Sequence, residues 1–195
     1  VYHESMGNTK FIYLDLKNSE DTSSTIWNDT SPTSTVFSLG SGNGVNNSSS
    51  NAYMAYCWHD VPGLQRFGSF IGNGGVNFVE LDFKPRIVWI KRTVVNSSPD
   101  TSTDYSSWSF YDTTRNSYNG LTPNQLFLNL TNGQGYRGNG SSTSSLGDMT
   151  VYAMSNGFYI SGPGTSVNAN TGEYLYCAWA ETPQNNLYGA QSNAR

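Results

Sequence analysis

Short runs in which apolar and polar residues alternate recur along the chain, and this alternation restricts its fold more than any other feature. Seven runs are separated by Gly, Asn, Ser and Pro: KFIYLDLK, NFVELDF, RIVWIKR, SSWSFYD, QLFLNLT, VYAMSNGFYIS and EYLYCAWAE. Successive side chains of a strand point to opposite faces, so every second residue shares a face. Val79, Leu81 and Phe83 should therefore face a core. Glu80 and Asp82 should face water. No window of eleven or more residues has the apolar stripe of a helix.

The sequence therefore predicts an all-β chain, folded as an antiparallel β-sandwich with two sheets face to face or as a jelly roll. The composition agrees, because aromatic residues make up 14% of the 195 residues and favour strands. Only 10 residues are Lys or Arg, and Lys91-Arg92 is the longest basic run, which argues against a nucleic-acid partner. No apolar run approaches the roughly 18 residues of a membrane span, so no membrane insertion is predicted.

One strand-like sequence occurs twice, as NAYMAYCWHDVP and as EYLYCAWAETP. The two copies share a spacing of four residue types, with Tyr53, Trp58, Asp60 and Pro62 matching Tyr174, Trp179, Glu181 and Pro183. An internal duplication is therefore predicted, with Trp58 and Trp179 at equivalent buried positions. Its parts are a first, N-terminally incomplete repeat at 1–62, a linker at 63–75, a second repeat at 76–183 and a tail at 184–195.

The first repeat lacks the strands that precede its counterpart. An unpaired sheet edge is a site for association with another chain, and closed symmetric assemblies cover such edges. We therefore expect a homo-oligomer, or packing against an N-terminal part of the same polypeptide.

Several segments carry a family resemblance: YHESMGNTKFIYLDL, AYCWHDVPGLQRFGSFIGNG, FVELDFKPRIVWIKRT, FYDTTRN, SNGFYI and NLYGAQSNAR. Together they resemble the C-terminal region of structural proteins of marine tailed phages, cyanophages above all, over nearly the whole chain. The resemblance implies a laminin-G or concanavalin-like sandwich in a tail fibre or another virion appendage, assembled in the host cytoplasm. It also implies a trimer, since phage fibres are commonly trimers, and as partners copies of the chain, other virion proteins and a host-surface glycan. A capsid decoration protein and a carbohydrate-binding lectin domain are the alternatives.

The sequence Glu80-Leu81-Asp82 is similar to the start of the E-x-D-x-E or E-x-D-x-x-E signature of retaining β-glucan hydrolases. Those enzymes need a further carboxylic acid to protonate the leaving group. Lys84 and Pro85 stand where that acid would be. The sequence therefore predicts a non-enzymatic protein, with Glu80 and Asp82 on the wet face of a strand.

His3 and His59 are the only two histidines. His59 is followed by Asp60, but adjacent residues of a strand point to opposite faces and cannot chelate one ion together. The second repeat has Ala180 in place of His59, and the chain contains no calcium-binding loop of the D-x-[DN]-x-[DN]-G type. No metal and no other cofactor is predicted.

The two cysteines occupy positions one step apart in the repeat, since Cys57 aligns with Ala178 and Cys177 with Tyr56. A shift of one residue moves a side chain to the other face of a strand. The sequence therefore predicts two free, mostly buried thiols rather than a disulfide.

The longest loop rich in Gly, Asn and Ser runs from Thr131 to Asp148 and contains Tyr136 and Arg137. Loops at the rim of a rigid scaffold often carry recognition, and Tyr and Arg are favoured at binding hot spots. Tyr136 and Arg137 are therefore the candidate ligand-binding residues. The alternative for this loop is a solvated connector.

Overall fold

The structure is a computed structural model that describes residues 1–47, 51–94, 106–115, 125–131 and 150–183. Regular structure in these ranges is almost all strand, and the exceptions are a 3-10 turn, Glu4–Met6, and one helical turn, α1, Ser24–Trp27. The strands in chain order are β1 Lys10–Phe11, β2 Asp21–Thr22, β3 Gln65–Ile71, β4 Val76–Glu80, β5 Pro85–Arg92, β6 Ser109–Asp112, β7 Leu126–Phe127, β8 Thr150–Met154, β9 Gly157–Ser161 and β10 Glu173–Ala180. The all-β prediction is confirmed.

Two antiparallel sheets form the sandwich. The large sheet has the order β3-β10-β5-β6-β7 and the small sheet the order β4-β9-β8, while β1 and β2 pair separately. One apolar cluster joins the facing sides of the two sheets: Val79, Leu81, Phe83, Val88, Ile90, Phe158, Ile160, Val167, Tyr174, Tyr176 and Ala178. Burial of this cluster between the sheets stabilises the sandwich.

The alternation around β4 has the predicted orientation. Val79, Leu81 and Phe83 are buried in the core, and Glu80 and Asp82 are exposed. Five other alternating runs also contain strands, at β5, β6, β7, the β8–β9 hairpin and β10. Short-range alternation therefore located most of the sandwich.

The segment predicted as a linker, residues 63–75, instead contains β3. This strand pairs with β10 along its whole length, from Gln65 opposite Trp179 to Ile71 opposite Glu173. Gly68 lies beside the ring of Tyr176, where an added Cβ would approach the phenolic oxygen to 2.7 Å. Gly68 thus permits close packing within the strand.

The first repeat does not fold like the second in this structure. In KFIYLDLK only Lys10–Phe11 is a strand, and Leu14 and Leu16 are exposed. Residues 51–60 form no strand, and the side chain of Trp58 is 54% exposed, so the prediction that Trp58 is buried is wrong.

The difference between the two copies lies in their neighbours. β10 has β3 on one side and β5 on the other, and Trp179 packs edge-on against Phe67 and Trp89. Within the described ranges, residues 51–60 have no strand on either side. The second copy is therefore largely buried, with Trp179 itself half-buried, and the first copy is exposed, because cross-strand partners supply the burial.

The N-terminal residues cover the other face of the large sheet. Ile12 packs there against Trp108 and Leu175, with Met6 and Trp89 beside them. Three hydrogen bonds hold this segment in place: from Trp108 Nε1 to the Tyr13 carbonyl at 2.8 Å, from the Glu20 amide to the Thr93 carbonyl at 2.8 Å, and from Lys91 Nζ to the Leu16 carbonyl at 3.3 Å. The large sheet is consequently covered on both faces.

Candidate interaction surface

Tyr136 and Arg137, the predicted binding residues, lie outside the described residues, as does the loop that carries them from residue 132 to residue 148. A binding role for them stays a prediction. The described part of the chain offers a different surface.

Large exposed apolar side chains are concentrated in residues 1–62, which we call the N-terminal region. They include Tyr13, Leu14, Leu16, Val36, Phe37, Leu39, Tyr53, Met54, Tyr56 and Trp58. Single exposed apolar residues are common on soluble proteins, but a concentration of this kind marks an interaction surface. The N-terminal region is therefore the candidate interaction surface.

Residues 51–60, here called the arm, expose every side chain. Met54 is 78% exposed and Tyr56 is 72% exposed. The rings of Tyr56 and Trp58 stack on each other with their centroids 6.1 Å apart and their planes 17° apart. Water-facing aromatic rings in a strand-like sequence are the strongest indication of a missing partner in the described chain.

A tight turn joins the arm to β3. The Val61 carbonyl accepts hydrogen bonds from the amides of Leu64, at 2.9 Å, and Gln65, at 3.0 Å, and the Val61 amide donates to the Gln65 carbonyl at 3.0 Å. Gly63 has a φ of +73°, which suits the third position of a Pro-Gly type II turn. The arm therefore leaves the sandwich at a fixed point.

Lys91 is a buried cation that sequence reasoning did not single out. Its Nζ donates to the carbonyls of Leu16, at 3.3 Å, and Ser106, and lies 5.9 Å from the ring centre of Trp108. Its side chain shows no ion pair within the described residues, and burial lowers its pKa to about 7. One signal was present in the sequence, because Lys91 is in phase with the apolar Ile87 and Trp89 on β5.

We expect this lysine to make stability depend on pH. Since the folded-state pKa is about 7 and the ordinary value is about 10.4, the unfolded chain binds more protons between these values. The free energy of unfolding should therefore rise as pH increases above 7, and the lysine should add no slope well below 7. Between pH 7 and 8.5, the free energy of unfolding of the wild-type protein should rise by about 1–2 kcal/mol more than that of Lys91→Met. Urea unfolding at each pH is the measurement. Parallel pH profiles for the two proteins would contradict this.

The histidines lie apart from each other. His3 is buried, its Nδ1 accepts a hydrogen bond from the Ser5 amide at 3.2 Å, and burial lowers its pKa. His59 is exposed on the arm, with Nδ1 2.8 Å from the Asp60 carbonyl oxygen. In the described ranges, no three His, Cys, Asp or Glu residues come together as a metal-binding group.

The carboxylates considered for catalysis form surface contacts. Asp82 accepts a hydrogen bond from Arg66 at 3.0 Å, with both side chains well exposed. Lys84, at one of the two positions of the expected acid, pairs with Glu181 at 2.7 Å. Exposed pairs of this kind contribute little to stability.

Both thiols are free, as predicted, but their burial differs from the prediction. Cys57 is exposed on the arm, and Cys177 is half-buried in β10. Burial raises the pKa of the Cys177 thiol to about 12, so Cys57 should be the reactive cysteine of the pair.

These features describe an antiparallel β-sandwich that carries an exposed, aromatic-rich N-terminal region. The chain belongs to the family described as a domain of unknown function, DUF7483, whose model matches residues 1–183 and so covers both the N-terminal region and the sandwich. No curated protein and no solved structure matches the chain. Among the described residues, no helix is both long enough and apolar enough to span a bilayer.

Proposed function

We propose that the chain is a non-enzymatic structural module of a phage virion, in a tail fibre or another appendage. The observation that carries this proposal is the exposed apolar surface of the N-terminal region, beside a sandwich whose own core is closed. A surface of this kind needs a partner to cover it. Virion proteins have such partners in copies of themselves and in neighbouring subunits.

The polar side chains support a structural role. The buried amide of Asn168 links loops of the sandwich, and the buried Lys91 ties the N-terminal segment to the sheet. Glu80 lies exposed on β4, and the carboxylate of Asp82 pairs with an exposed arginine. These groups hold the fold together or contact solvent, which is the pattern of a scaffold rather than of a catalytic cleft.

Labelling of purified virions tests the assignment. Antibodies against residues 1–183, viewed by electron microscopy, should bind the tail fibres or another appendage. Labelling over the whole head would instead indicate a capsid decoration protein, and particles without label would refute the virion role.

A glycan array tests the lectin alternative. A purely structural module should show no selective binding to sugars, whereas a lectin should bind a defined set of them. Selective binding that is lost on substitution of Tyr136 or Arg137 would favour the lectin over the structural module.

A further inference from the structure

The outer edge of β3 is largely unpaired. Gln65 exchanges both of its backbone hydrogen bonds with Val61, so its polar groups point away from β10. Because the direction of these groups alternates along an antiparallel strand, those of Phe67, Ser69 and Ile71 point outward as well. The backbone N–H and C=O of Ser69 have no hydrogen-bond partner in the described chain. An edge of this kind can accept another strand.

The arm already has the turn that would bring it to this edge. The bridge between Val61 and Gln65 is the first rung of an antiparallel hairpin, and it fixes the register of every later rung. Continuing that register gives these pairs: Asp60 with Arg66, His59 with Phe67, Trp58 with Gly68, Cys57 with Ser69, Tyr56 with Phe70, and Ala55 with Ile71.

The pairs set by this register are complementary. Trp58 falls opposite Gly68, which has no side chain, and Tyr56 falls opposite the ring of Phe70. The ring of Tyr176 already lies over Gly68, so Trp58 would pack beside that ring, and Tyr56 with Phe70 would form an aromatic pair; both are favourable cross-strand combinations. Asp60 falls opposite Arg66, which adds a pair of opposite charges. These three arm residues would share the face of the sheet on which Phe70 packs against the core.

Two side-chain hydrogen bonds hold the arm away from the edge. The Asp60 carboxylate accepts from the Phe67 amide at 2.8 Å, and the Gln65 side-chain amide donates to the His59 carbonyl at 2.7 Å. The Phe67 amide and the His59 carbonyl are the two groups that the next rung would join. The hairpin therefore ends after its first rung, because the groups of the second rung are bonded to side chains.

We propose that residues 55–60 pair with β3 as a sixth strand of the large sheet, which we call the closed form. The side-chain hydrogen bonds of Asp60 and Gln65, here called the latch, hold the arm in the open form that is described above. Closure joins the open edge of β3 to the arm and removes Tyr56 and Trp58 from water. It also decides whether the edge of β3 is available to another copy of the chain, because one edge accepts one strand.

A disulfide between Cys57 and position 69 tests the register. Residues opposite each other in a hydrogen-bonded pair have Cα atoms about 5.5 Å apart, within the range that a disulfide spans. The variant Ser69→Cys, made together with Cys177→Ala, should form an intrachain disulfide under mild oxidation. Thiol titration should then find no free thiol, and a non-reducing gel should show the mass of one chain.

Ile71→Cys in the same Cys177→Ala background is the matched control. It lies on the same face of β3 but one pair further along, so its Cα is roughly 7–8 Å or more from that of Cys57 in the closed form. We expect it to cross-link roughly tenfold more slowly than Ser69→Cys. Adding Gln65→Ala to Ser69→Cys removes the side-chain bond from Gln65 to the His59 carbonyl and should speed cross-linking.

Two results would overturn the proposal. Disulfides between chains in Ser69→Cys would show that the edge of β3 pairs with another copy. Equal cross-linking rates at positions 69 and 71 would show that the arm has no fixed register on β3. Hydrogen exchange on the wild-type protein gives a second measurement that needs no variant. The Ser69 amide should exchange slowly if the arm closes, and exchange at the rate of an unstructured amide would refute closure.

Discussion

Truncation of Trp108 to alanine is expected to lower the free energy of unfolding by about 3–5 kcal/mol. Its side chain is only 2% exposed, packs with Ile12 and Leu175, and donates a hydrogen bond to the Tyr13 carbonyl. The variant should lose both the core volume and the attachment of the N-terminal segment. Urea unfolding followed by far-ultraviolet circular dichroism measures the loss.

The matched control is Trp58→Ala, which removes the same side chain from the exposed arm. While the arm is open, this change should alter the free energy of unfolding by no more than about 0.5 kcal/mol, as for most surface positions, and closure of the arm onto β3 should raise the loss. A similar loss in both variants would show that Trp58 is buried in solution and would restore the equivalence of Trp58 and Trp179.

The second large effect is expected for Asn168→Ala. Asn168 is fully buried, its Nδ2 donates to the carbonyls of Gly75 and Gly162, and its Oδ1 accepts from the Asn73 amide. Removing the buried amide takes a hydrogen-bond partner from the Asn73 amide and the Gly162 carbonyl, while the Gly75 carbonyl keeps the Gly162 amide as a partner. We expect a loss of about 1–3 kcal/mol in total.

Asn170→Ala provides the comparison for this second effect. Asn170 is an exposed residue of the same loop, and its replacement should change stability by about 0.5 kcal/mol or less. Thermal unfolding of the two variants side by side is the measurement. A stable Asn168→Ala protein would mean that water replaces the amide at little cost.

Local alternation predicted the sandwich well, because the strands around Val79 and Val88 show their two faces directly in the sequence. The outward orientation of Glu80 and Asp82 followed from the same period. Each of these inferences depends only on residues close in sequence.

Features that depend on distant partners were not predictable in this way. Trp58 and Trp179 lie in the same motif, but only Trp179 has strands on both sides, and the motif does not encode them. Segment 63–75 lies between the two copies of the repeat, which predicts a linker, whereas its pairing as β3 depends on β10, a strand distant in sequence. The burial of Lys91 likewise requires the N-terminal segment to lie across β5.

The position of β10 in the middle of the large sheet has a consequence for synthesis of the chain. β3 and β5 flank β10 on either side, but both are made long before it, since β5 ends at Arg92 and β10 begins at Glu173. At about 5–20 residues per second, the ribosome needs several seconds to supply the strand that joins them. The edges of β3 and β5 that will pair with β10 therefore stay open beside the ribosome, where chaperones or neighbouring nascent chains can reach them before the sheet closes.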